Sequence, residues 1–214
     1  NGKMRQILVD WLITVYFDLG LTESTLFCTI NLINRFISKQ PITKEEFQLL
    51  GISSLMIATK LEEIRIPSVS LFVALTDFAF SKEQIFDMEQ RILSVVNFDV
   101  SIPNEFNLYE MMSLKFMFND KEYSAGLYYL MMFLLDENSM NFSPKSICEG
   151  VCLLVGSLSG NQGSKEYFAF GKINSKEAAE IILSFENNNF SKDNLSCQKV
   201  INGILEKGFS KEAN

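Results

Sequence analysis

The chain contains no histidine. That absence removes the commonest general base, the Ser-His and Cys-His nucleophile arrangements and most zinc sites. Basic residues are scarce beside acidic ones, 19 against 26, for a net charge of −7 and a pI near 4.8. The cationic surplus that phosphate backbones attract is therefore missing, and nucleic acid is not an expected partner. Long apolar runs are also lacking. The longest, around Leu127 to Leu135, falls short of the roughly 20 residues a helix needs to cross a bilayer, so no membrane partner is expected. Cysteines number only 4, none in a C-x-x-C pair and all in apolar helical contexts, which points to buried reduced thiols in a nuclear or cytosolic protein. No charged-then-apolar leader opens the sequence, so the Asn-x-Ser triplets at Asn141, Asn189 and Asn194 are expected to be ordinary surface text.

What is present is apolar and helical. With 47% hydrophobic residues and only 4 prolines in 214 residues, packed cores are expected rather than disorder. Start signals recur as Thr43-x-x-Glu46 and Ser81-x-x-Gln84 capping boxes and as Ser143 followed by Pro144. Apolar spacing predicts helices over 3–19, 23–38, 44–63, 68–75 and 82–96, then over 104–115, 121–136, 144–158, 165–171, 175–187 and 192–207. The segment "DVSIPNE" at Asp99–Glu105 breaks the pattern. It divides the chain into two domains, 1–101 and 102–214, each a bundle of about five helices. In the middle helix of each half, "LLGISSLMIATKL" and "ICEGVCLLVGSL", small residues alternate with large apolar ones, as suits a helix surrounded by others.

Three short motifs reduce to ordinary structure. "KLEEI" at Lys60–Ile64 holds adjacent glutamates, but these point about 100° apart on a helix and lack a second catalytic group. "GNQGSK" at Gly160–Lys165 lacks the spacing of a phosphate loop, and no strand precedes it. "RQIL" at Arg5–Leu8 fits a loose degradation pattern but lies inside an amphipathic helix. That first helix is itself unusual. Met4, Ile7, Leu8, Trp11 and Val15 form one apolar stripe, and Val9, Leu12, Ile13 and Tyr16 form a second beside it. Arg5 falls within the apolar arc, so a buried guanidinium in need of acceptors is expected.

"MRQILVDWL" at Met4–Leu12, "NRF" at Asn34–Phe36, "KLEEI" at Lys60–Ile64 and "MEQRILSVVNFDV" at Met88–Val100 together resemble the cyclin box. The likeness is to A- and B-type mitotic cyclins, nearer the B type, over 4–103, and continues as a shared helical layout over 104–207. It implies an all-α fold of two tandem five-helix cyclin-box bundles, with no catalysis of its own and no cofactor or metal. The implied function is to bind and activate a cyclin-dependent serine/threonine kinase and to help recruit its substrates in mitosis. By resemblance, Lys60 and Glu89 grip the kinase beside its mobile αC helix, and Ile57, Leu61, Leu93 and Val100 line the groove that receives it. The stripe of Met4, Ile7, Leu8 and Trp11, joined by Lys44 and Gln48, would dock Arg-x-Leu segments of substrates or inhibitors. Arg5 and Asn34 would be a structural pair.

Two departures from the family pattern change its chemistry. Thr14 stands where A-type cyclins carry a glutamate that would pair with the docking arginine, so docking here is expected to be mostly apolar. Asn34 replaces an aspartate, turning the ion pair with Arg5 into an ion–amide hydrogen bond. A transcriptional cyclin serving a polymerase-phosphorylating kinase is the rival within the class. A basal transcription factor with the same fold is the rival outside it, and needs basic faces that an acidic chain does not offer.

Overall fold

In the computed structural model, residues 2–161 and 163 are described, and they contain eight α-helices, one 3-10 helix and no strand. The helices are α1 (Gly2–Leu19), α2 (Glu23–Lys39), α3 (Phe47–Glu62), α4 (Val69–Leu75), α5 (Lys82–Val95), α6 (Glu105–Lys115), α7 (Asp120–Leu134) and α8 (Pro144–Ser159), with the 3-10 turn at Glu137–Asn141. The expected helices at 165–171, 175–187 and 192–207 lie outside the described residues, as do Asn189, Asn194 and Cys197. Two compact units make up the chain: Ile7–Asn104, and residues 1–6 together with those from 105 onward.

In the first of these units α3 is the central element. Every residue from Leu49 to Thr59 is buried, which the small side chains of "GISS" permit. A Cβ on Gly51 would stand 2.6 Å from Leu8 Cδ1, so α1 approaches α3 more closely there than alanine would allow. Ser53 Oγ donates to the Ile85 carbonyl at 3.2 Å, joining α3 to α5. Phe27, Phe36 and Phe72 close the core with no meaningful exposure, each contributing about 1.5–3 kcal/mol by leaving water. Cys28 is buried here, and burial pushes its thiol up to about 12.

Around the described part of the second unit, α8 packs against α6 and α7. Tyr109 is wholly buried and donates through its hydroxyl to the Tyr123 carbonyl at 2.7 Å. Burial raises its pKa far above the usual phenol value and keeps the donor proton in place. Cys148 and Cys152 are also buried, and burial raises both thiols well above their ordinary value. Cys148 Sγ donates to the Glu105 carbonyl at 2.9 Å.

Helix starts follow the sequence signals with one displacement. Ser81 and Gln84 form a reciprocal capping box on α5, and Ser143 caps α8 ahead of Pro144. Ser81→Ala therefore costs about 1 kcal/mol, measurable as a lower urea midpoint with an unchanged m-value. Thr43 and Glu46 exchange the expected hydrogen bonds, but they close a turn, and α3 begins only at Phe47. Asn119 and Glu122 form a further capping box, on α7.

Helix ends share one device. After α1, α4, α5 and α6 the backbone closes with paired hydrogen bonds of the Schellman type, as in Leu21 N–H to the Tyr16 carbonyl and Gly20 N–H to Phe17. Of these four, α1 places a glycine, Gly20, at the left-handed position, as α8 does with Gly160. Helices α4, α5 and α6 place Asp77, Asn97 and Met117 there, with Phe78 and Phe98 following at positive φ as well, a conformation that costs a bulky residue about 1–3 kcal/mol and persists only where the surroundings impose it.

Candidate protein-interaction site

Within the unit Ile7–Asn104, α3 and α5 lie against each other, and their facing polar residues form an ion pair at the surface. Lys60 Nζ donates to both carboxylate oxygens of Glu89, at 2.7 and 2.9 Å. The glutamate side chain is 15% exposed and the lysine 41%, so the acid is recessed and the amine lies over it. Ile57, one turn before Lys60, is buried. Leu61, beside it, is 44% exposed. Leu93, one turn after Glu89, and Val100 are half-buried.

Three apolar residues that the sequence did not single out extend this surface. Phe86 is exposed one turn before Glu89 on α5, Ile64 stands wholly in water, and Phe98 is 69% exposed. The spacing of Phe86, Glu89 and Leu93 at i, i+3 and i+7 was the available signal for the first. Phe98 is set by the Schellman turn, its N–H donating to the Leu93 carbonyl at 2.8 Å. That turn is braced from α2: Arg35 donates to the Asp99 carbonyl and Lys39 to the Val95 carbonyl. Arg91 pairs with Glu46 at 3.0 Å and lies 5.3 Å from the centre of the Phe36 ring.

The glutamates of "KLEEI" are engaged with α2. Glu63 Oε1 accepts from Thr22 N–H at 2.8 Å, Thr22 Oγ1 at 3.0 Å and Thr25 Oγ1 at 2.6 Å, while Ser24 Oγ donates to Glu62 Oε2 at 2.8 Å. Partial burial pushes the Glu63 carboxyl up, but the Thr22 backbone and the Thr25 and Thr22 hydroxyls outweigh it and hold the group below the usual carboxylate range.

The α1 residues divide by depth. Ile7 is 61% exposed, Met4 and Trp11 are half-buried, and Leu8 is buried against Gly51. Lys44 is exposed and Gln48 half-buried. Thr14 donates its hydroxyl to the Asp10 carbonyl at 3.1 Å, back into its own helix. Arg5 is buried, as expected, and its Nη1 donates to the carbonyls of Leu134 at 2.8 Å and Asp136 at 3.3 Å. Leu134 is the last residue of α7 and Asp136 follows it closely, so the cation meets the negative end of the helix dipole. Burial lowers the Arg5 pKa, opposed by the nearby Glu105 and Asp136 carboxylates. Asn34 is half-buried on α2.

Residues 1–101 match the family model described as the cyclin N-terminal domain. The chain belongs to the cyclin family. Its relatives include Cyclin-B2-1 of Arabidopsis thaliana, 36% identical over 167 residues that make up 75% of this chain and 39% of that protein. The G2/mitotic-specific cyclin cig2 of Schizosaccharomyces pombe is 34% identical over 152 residues, 71% of this chain and 37% of that one. This cyclin-family chain thus resembles the B-type mitotic cyclins while spanning well under half the length of the curated relatives it matches. In fold it is similar to a viral cyclin from herpesvirus saimiri, with a TM-score of 0.69 at 17% identity, covering 99% of this chain and 88% of that one.

Proposed function

We propose that this chain is the regulatory subunit of a cyclin-dependent serine/threonine kinase of the cell cycle and switches that kinase on in mitosis. One observation carries the reading. In a chain of the cyclin family, a solvent-facing lysine–glutamate pair sits among exposed apolar side chains on the α3–α5 face. Such a surface suits an amphipathic helix, whose apolar side enters between Leu61, Leu93 and Phe98 while its polar ends meet Lys60 and Glu89.

The chain performs no chemistry in this account. A kinase is active when its strand lysine pairs with the glutamate of its αC helix, and a partner that binds only that arrangement favours it. Moving a 1:99 equilibrium to 99:1 requires about 5.5 kcal/mol of preference for the active form, within reach of a few desolvated anchors. The test is to add the purified chain to a monomeric cyclin-dependent kinase and follow phosphorylation of a serine peptide. Stimulation by orders of magnitude is expected, and no stimulation of any such kinase removes the proposal.

Substrate recruitment is assigned to the α1 stripe, with Ile7, Trp11 and Met4 as the apolar contacts, Leu8 supporting them from the core and Lys44 and Gln48 at the edge. With Thr14 bonded to its own helix, no carboxylate stands at that position for the incoming arginine. An Arg-x-Leu peptide is expected to bind weakly and with little salt dependence, and Met4→Ala/Trp11→Ala to weaken it about tenfold or more by isothermal titration. Equal affinity removes the docking role. The buried thiols suit work in the reducing nucleus or cytoplasm.

A further inference from the structure

Ile64 is an aliphatic side chain held entirely in water on a non-helical segment, and Ile66 beyond it is 55% exposed. Apolar groups on a free coil fold back on the nearest apolar surface, so the backbone here must be restrained. The restraint converges on Glu63. Its own N–H donates to the Thr59 carbonyl at 3.1 Å, ending α3, and its backbone turns extended at φ −99 and ψ 138. Its carboxylate meanwhile takes three hydrogen bonds from the first turn of α2, whose N-cap is Thr22. A carboxylate there satisfies an orphan helix N–H and meets the positive end of the helix dipole. Glu63 therefore acts as a second N-cap for α2, supplied from 41 residues away, and ties the end of α3 to a rigid element.

We propose that Glu63 is a positioning residue that holds the α3 terminus and Ile64–Ile66 in the pose the kinase contacts. This role rests on the kinase-binding reading above and deepens it. Lys60, Leu61 and Ile64 enter the complex already ordered, so their freedom is not lost on association. The Thr22 and Thr25 hydroxyls are part of the same device, since each spends its proton on the one oxygen.

The test compares wild type, Glu63→Ala, Glu63→Gln and Thr25→Val in the full chain, by amide hydrogen exchange over residues 60–68 and by affinity for a cyclin-dependent kinase. Glu63→Ala and Thr25→Val are expected to speed exchange in that segment and to weaken binding about tenfold, which corresponds to losing the ordering of a few side chains before docking. Far-UV circular dichroism should stay unchanged. Glu63→Gln keeps an acceptor oxygen in place and should return both readouts toward wild type, a rescue that general loss of stability would not give. Unchanged exchange in Glu63→Ala overturns the anchoring, and faster exchange with undiminished affinity overturns the positioning role. A wild-type chain that binds no such kinase, with exchange still responding to Glu63→Ala, overturns the kinase reading and this role with it.

Discussion

Lys60→Ala/Glu89→Ala is expected to lose about 100-fold in affinity for the proposed kinase and to leave the folded chain almost undisturbed. The two halves of this result come from different environments of one ion pair. In the free chain the lysine keeps part of its surface in water over the recessed glutamate, and a pair this near the surface is worth about 1 kcal/mol or less to folding. Under a bound helix both groups lose solvent and take new partners, and truncating charges so placed costs about 2–5 kcal/mol. Surface plasmon resonance gives the affinity, and circular dichroism with a urea melt gives the fold. The charge-swapped Lys60→Glu/Glu89→Lys separates the two roles, because it keeps an intrachain pair while reversing its direction. Kinase affinity retained in the swap would make the pair merely structural.

Gly126→Ala has the largest expected effect on stability, about 3 kcal/mol through overpacking and a lost hydrogen bond. A Cβ at this position would stand 2.6 Å from Tyr109 Cζ, far inside contact distance. Tyr109 has nowhere to yield, since it is wholly buried, its ring lies 5.4 Å from that of Tyr123, and its hydroxyl is fixed on the Tyr123 carbonyl. The urea midpoint should fall sharply, and Tyr109→Phe combined with Gly126→Ala should cost less than the sum of the single changes, because both remove the same hydrogen bond. A Gly126→Ala chain as stable as wild type would show that α7 can shift away from α6 at no cost.

The helices were legible because their signals are local. The box at Ser81 and Gln84 and the proline after Ser143 mark true starts within a residue, and α3, with small and large apolar residues alternating through its middle, declares itself as a central helix by composition. Thr43 and Glu46 mislead for an instructive reason. The hydrogen bonds that define a capping box close a lone turn equally well, and nothing in four residues says whether a helix follows at once. The site was legible only in part. Lys60 and Glu89 are 29 residues apart, and their meeting was available only through family resemblance. Two acceptors of Arg5 are backbone carbonyls more than a hundred residues away, and carbonyls carry no sequence identity to read. Phe98 was missed because its exposure is set by a left-handed turn without glycine, which propensity disfavours. Glu63 passed as ordinary structure within "KLEEI" because its three donors lie near the start of a different helix.

The sulfur atoms give the two units separate clocks. Cys28 belongs to the unit Ile7–Asn104, and Cys148 and Cys152 to the other. Each is shut away from solvent and held as an unreactive thiol by its apolar surroundings. An alkylating reagent can reach any of them only while the surrounding helices part. The rate at which each position takes the label therefore reports how often its own unit breathes, with no probe added to the chain.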